Sequence, residues 1–157
     1  MPASKFILST WERLAAVPLG KWLFSRVVCW KAPYFATIRP RFVELAPFRS
    51  TLRMALRRGV TNHLGTVHAI AMCNLAELAA GTMMEATLPS THRWIPKGMT
   101  VKYVKPAATG VTATALLDPA TEFADAMDVP IDVTVRDAAE QAVVTATITM
   151  WVSPKKS

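Results

Sequence analysis

The stretch from Asn62 to Glu85 constrains the fold more than any other part of this sequence. A polar turn carrying Asn62, His63, Gly65 and His68 runs into the longest series of strong helix formers in the chain, mostly Ala, Leu, Met and Glu. Val67, Ile70, Ala71, Leu75, Leu78 and Met84 recur at helical spacing and predict a helix buried on most of its sides. Between His68 and Gly81 the only charged residue is Glu77. A solvated stripe would carry several charges, so a lone carboxylate in an apolar rod singles out Glu77 as a candidate functional group. At about 100° and 1.5 Å per residue, His68 and Glu77 fall on opposite faces, roughly 13.5 Å apart along the axis. One chain cannot bring both to one substrate. A shared site needs the helix start of one subunit and the helix middle of another, as a two-fold dimer provides.

Strand patterns flank this helix. Residues 4–31 read as one or two amphipathic helices, with Trp11, Leu14, Ala15, Leu19, Trp22, Leu23 and Val27 near helical spacing and a break at Pro18 and Gly20. Packing on the body of the fold or across a dimer is favoured over a membrane surface, although the Trp, Phe and Lys content suits an interface. Pro33, Pro40 and Pro47 punctuate two short strands at 35–38 and 41–46. Leu52, Met54 and Leu56 alternate with outward arginines in a strand from Arg49 to Arg58, ended by Gly59. After the helix, period-two alternation predicts strands at 99–104, 111–117, 131–135 and 144–152, with Asp137 to Glu140 as a hairpin turn. Strands grouped on either side of a lone helix specify an α+β domain, an antiparallel sheet wrapped around one long helix. The chain divides into a helical extension at 1–33, a sheet domain at 34–153 and a frayed tail at 154–157, within the closing Ser-Pro-Lys-Lys-Ser.

Composition narrows the partners. With 157 residues, 52% hydrophobic and 18% charged, the chain suits one domain with a full core and an apolar surface covered by another subunit, and disorder is excluded. A net charge of +7 favours anionic partners, but the arginines are dispersed and no RNA-binding or recognition-helix pattern accompanies them, so nucleic acid is not expected. Cys29 and Cys73 lack CxxC spacing and read as buried free thiols of a cytoplasmic protein. His63, His68 and His92 lack ligand spacing, so neither a metal nor another cofactor is expected. No apolar run approaches the roughly eighteen residues of a membrane span, and Glu12, Arg13 and Lys21 interrupt any secretory layout.

With these residues in place, the chain resembles the hotdog fold, and within it the PaaI-like acyl-CoA thioesterases and their DUF4442 relatives. The resemblance covers about residues 40–152 and rests on Asn62 six residues before His68, Glu77 nine residues after it, and Lys105-Pro106 at the end of the next strand. Relatives carry Gly-Gly where this chain has Ala69-Ile70, and Asp where it has Glu77. The resemblance implies an acyl-CoA substrate, no cofactor, and a homodimer or dimer of dimers. Glu77 then serves as general base or nucleophile and the Ala69 amide as oxyanion donor. Asn62 holds the carboxylate or the attacking water, and His68 orients the thioester or caps the helix. Gly65, Asn74, Leu78 and Gly81 border the substrate, with Gly81 making room for an acyl chain on the face of Glu77. Lys102 and Lys105 are candidates for the phosphates of coenzyme A. The alternative is a protein of the same fold that binds acyl-CoA or a fatty acyl group without turnover. A hotdog dehydratase is disfavoured, because its His-Phe-Pro segment is absent.

Overall fold

The computed structural model describes residues 3–155. Two helices lead the chain, α1 (Ala3–Ala15) and α2 (Gly20–Lys31), separated at Pro18 as the sequence indicates. A 3-10 turn at Pro33–Ile38 follows, then strands β1 (Arg41–Ala46) and β2 (Arg49–Met54). The long helix α3 (Ala69–Thr87) comes next, and then β3 (His92–Tyr103), β4 (Val111–Leu116), β5 (Met127–Arg136) and β6 (Ala142–Pro154). The strands form one antiparallel sheet in the order β1-β2-β4-β5-β6-β3, and α3 touches every strand of it.

The alternation read from the sequence sets the inner face. Val111, Ala113 and Ala115 of β4, Ile131, Val133 and Val135 of β5, and Val144, Ala146, Ile148, Met150 and Val152 of β6 are all buried. Against them α3 places Leu75, Ala76, Ala79, Ala80, Met83 and Met84, each fully inaccessible. The small side chains let helix and sheet approach closely, and Leu75 and the methionines fill the space that remains.

Four expectations are corrected. The segment 35–38 is a 3-10 turn rather than a strand, with Pro33 in its first turn. The strand expected to reach Arg58 ends at Met54, because Arg41 is opposite Arg53 and Val111 opposite Met54, and neither neighbour extends further. Leu56 consequently lies outside the sheet and is exposed. In the other direction β3 starts at His92, seven residues before the expected strand. Pro96 and Gly98 look like breakers in sequence, but an irregularity in the pairing with β6 between them absorbs both. At the C-terminus Ser153 and Pro154 belong to β6 and the Lys155 amide donates to Thr91 O at 2.8 Å, so fraying does not begin there; residues 156 and 157 lie outside the described residues.

The two ends of the sheet differ. At β1, Ser25 of α2 accepts a hydrogen bond from the Phe42 amide at 2.9 Å, and Lys21 Nζ donates to Val43 O at 2.9 Å, so α2 occupies that edge. Trp11, Phe24 and Phe42 lock the arrangement as a buried aromatic cluster with centroids 5.0 to 6.2 Å apart. At the other end β3, 12 residues long, pairs with β6 alone and exposes Ile95 and Tyr103. No helix among the described residues is long and apolar enough to cross a membrane.

The Asp137 hairpin follows the sequence reading. Asp137 Oδ1 accepts from the Ala139 and Gln141 amides at 3.0 and 2.9 Å, and Oδ2 pairs with Lys105 Nζ at 2.8 Å. Lys105 is thereby tied to the hairpin and is not a free cation for a phosphate. The hydrogen bond from Lys105, reinforced by the Gln141 amide, holds the Asp137 carboxyl below the usual aspartate range. A lowered folded-state value contributes stability above the ordinary Asp range that is lost as pH falls through the lowered value. Wild type should therefore melt above Asp137→Asn near neutrality, and the two melting curves should converge as pH falls through the lowered Asp137 value.

Candidate functional site

The loop before α3 is built by Asn62. Its Oδ1 accepts from the Leu64 and Thr66 amides at 3.0 and 3.2 Å, its Nδ2 donates to Thr66 Oγ1 at 2.9 Å, and its backbone amide donates to Thr66 O at 2.9 Å. Gly65 sits at φ +77°, which an L side chain rarely adopts, with open space where a Cβ would stand. The loop is anchored at its end by Val67 N to Ala107 O and His68 N to Val60 O, both 2.8 Å.

His68 then caps α3. Its Nδ1 accepts from the Ile70 amide at 3.1 Å, as capping Ser, Asp or Asn side chains do. The Ile70 amide is thus engaged, whereas the Ala69 amide, first in the helix, has no acceptor among the described residues. His68→Ala should cost about 1 kcal/mol of stability, and His68→Asn, which can cap in the same way, should recover it in thermal melts.

Glu77 lies two and a half turns further on. It lines a cavity of about 850 Å³ bounded by α3, the two N-terminal helices and the start of β3. Leu78 and Gly81 line the same cavity, so three residues singled out on the helix come together. The opposite wall is Phe6, Ile7, Phe24, Val27, Val28 and Phe35. Three ion pairs hold among the described residues, Arg49–Glu44, Lys97–Asp128 and Lys105–Asp137, and none uses Glu77. Its carboxylate also has no hydrogen-bond partner among them.

Asn62, Gly65, His68 and Ala69 are at the helix start and do not border this cavity. Asn74 also lies outside it, with Nδ2 3.4 Å from the Tyr34 hydroxyl. Cys29 is buried, and burial pushes its thiol up, but Cys73 is only half-buried, with Sγ 3.5 Å from the Tyr103 hydroxyl. That contact raises the Tyr103 phenol. Sequence reasoning missed Glu85 and Trp94, which also line the cavity, and the Trp94 Nε1–H donates to Glu85 Oε2 at 3.0 Å. The missed signal was the i, i+4, i+8 stripe of Glu77, Gly81 and Glu85.

A family model described as a domain of unknown function, DUF4442, matches residues 20–152. The chain belongs to the DUF4442 family. No curated protein matches it significantly. Among solved structures, this DUF4442 protein is similar to genomics APC5556, at 40% identity over 98% of this chain and 99% of that one, with a TM-score of 0.83. It is also similar to PA5026 of Pseudomonas aeruginosa, described as a protein of unknown function and probable thioesterase, at 22% identity over 88% and 97% of the two chains and a TM-score of 0.75. A thioesterase family protein from Silicibacter pomeroyi is 19% identical over 83% and 96%, with a TM-score of 0.71. The last two likenesses are of fold, and they agree with the hotdog architecture of the DUF4442 chain, a six-stranded sheet around one long helix with two additional N-terminal helices.

Proposed function

We propose that this protein hydrolyses acyl thioesters, with acyl-CoA as substrate, in a site completed by a second copy of the chain. The observation that carries the reading is the Glu77 carboxylate, unpaired among the described residues, on the helix at the centre of the fold and against an apolar cavity. A half-buried carboxylate with no structural partner on a mostly apolar wall has no packing role, and catalysis accounts for retaining it. Glu77 takes a proton from water as the oxygen bonds to the thioester carbon. The tetrahedral intermediate then expels the thiolate, which leaves protonated. Direct attack by Glu77 to give an anhydride, later hydrolysed, uses the same placement.

The developing oxyanion needs a donor that costs no reorganisation. The Ala69 amide of the partner subunit fits that role, at the positive end of α3 and without an acceptor of its own among the described residues. Asn62 and His68 act by shaping that helix start. The bare edge of β3 supports a dimer built by pairing this strand with its counterpart, because a long exposed edge with apolar side chains is otherwise a site of uncontrolled association. The thioesterase names of the Pseudomonas and Silicibacter proteins support the reaction class.

Release of free thiol from a panel of acyl-CoAs tests the reaction, and sedimentation equilibrium tests the assembly. Turnover of at least one substrate by a dimer is expected. Tight binding without release of thiol from any of them would instead establish a carrier, and a monomer would remove the composite site.

A further inference from the structure

We propose that the N-terminal helical pair, α1 with α2, forms the outer wall of the acyl subsite, and that this subsite selects chains of about ten carbons. The inference rests on the thioester reading for the position of the reacting carbonyl at Glu77, and adds the class of acyl group and the part of the chain that selects it.

The cavity runs along a single stripe of α3. Glu77, Gly81 and Glu85 are successive members of one i, i+4 row, and all three line it. The row gives the cavity a carboxylate at one end, a residue without a side chain in the middle, and a second carboxylate at the other end. That second carboxylate is held by Trp94, whose Nε1–H donates to it at 3.0 Å. Between the two carboxylates the lining is predominantly apolar, with Phe6, Ile7, Val27, Val28, Phe35 and Leu78; Thr10 and Lys31 also line the cavity, the Lys31 ammonium lying 5.6 Å from the Phe6 ring centroid. Thr82 also lines this middle region, but its hydroxyl donates to Leu78 O at 2.7 Å and lies 3.2 Å from Ser50 Oγ, so it is committed to its own helix and the sheet. An occupant of this cavity therefore meets few polar groups and is rewarded mainly for apolar surface.

Length follows from the same row. Eight residues of helix rise about 12 Å. An extended alkyl chain with ordinary C–C bonds and angles advances about 1.25 Å per methylene, so about ten carbons reach from Glu77 to the Glu85–Trp94 pair. The volume, about 850 Å³, lies within the usual range for small-molecule sites. Gly81 sets the continuity of the channel: a Cβ built there meets the Trp94 ring at 2.9 Å, so any side chain must displace that ring or occupy the channel itself.

Non-hydrolysable S-alkyl-CoA thioethers with saturated chains of four to sixteen carbons, titrated calorimetrically into the full-length protein, test the proposal. Affinity should rise about fourfold per methylene and level off near ten carbons. Gly81→Leu, half-way along the row, should move the plateau to about five carbons. Val28→Phe adds bulk from the opposite wall and should also shift it to shorter chains, which keeps the test decisive if Gly81→Leu does not fold. Affinity independent of chain length, or a plateau that neither folded variant moves, overturns the proposal. Thiol release assayed in parallel separates the two readings. A length-dependent affinity without hydrolysis retains the subsite and removes the reaction, whereas hydrolysis with flat thioether affinity retains the reaction and removes the subsite.

Discussion

Glu77→Gln is expected to lower kcat/KM for acyl-CoA hydrolysis about one hundred- to ten thousand-fold, the range typical of removing a positioned general base. Glutamine keeps the size and most of the hydrogen-bonding capacity of the side chain but cannot accept the proton of water or form an anhydride. The loss should fall on kcat, since the cavity that receives the acyl chain is otherwise intact. Stability should change little. The carboxylate has no ion pair or hydrogen bond among the described residues, so neutralising it removes no interaction. A variant that melts close to wild type while losing turnover separates a reacting group from a structural one. Unchanged hydrolysis in both Glu77→Gln and Glu77→Ala would falsify its role.

The second large effect is on folding. Leu75→Ala should destabilise the protein by about 2–5 kcal/mol, because Leu75 is fully buried where α3 meets the sheet and its removal leaves a hole the neighbours close only in part. At roughly 2–4 °C per kcal/mol for a chain of this size, a loss near 3 kcal/mol lowers the melting temperature by about 6–12 °C. Ile70→Ala, one turn earlier and 53% exposed, should stay within about 0.5 kcal/mol of wild type. Comparable losses at both positions would show that α3 is not held by the packing described.

The parts of this fold visible in the sequence are those encoded by short periods. α3 and the inward residues of β4, β5 and β6 follow from the repeat of their own side chains, and the break between α1 and α2 from the local breakers Pro18 and Gly20. The beginning of β3 was hidden because Pro96 and Gly98 are local breakers, while the pairing with β6 that tolerates them comes from fifty residues later. Leu56 and Arg57 continue the alternation of β2 but have no neighbouring strand, which no local pattern reveals. The site divides in the same way. A lone acid in an apolar helix is conspicuous, so Glu77 could be picked out. Asn62 and His68 serve turns and caps in most chains, and here their side chains fold the loop and close the helix. The cavity was not legible, because seven of its apolar lining residues come from the first thirty-five and nothing in their sequence states that they meet α3 opposite Glu77.

The helix laid along β1 also limits where the sheet can be extended. Hydrogen-bonding groups of Phe42 and Val43 are already occupied by Ser25 and Lys21, so that margin cannot recruit a strand. Strand addition is left with a single direction, through β3. In the proposed dimer joined there, both outer margins of the combined sheet would be sealed, and strand addition would stop at a pair instead of propagating into a fibre.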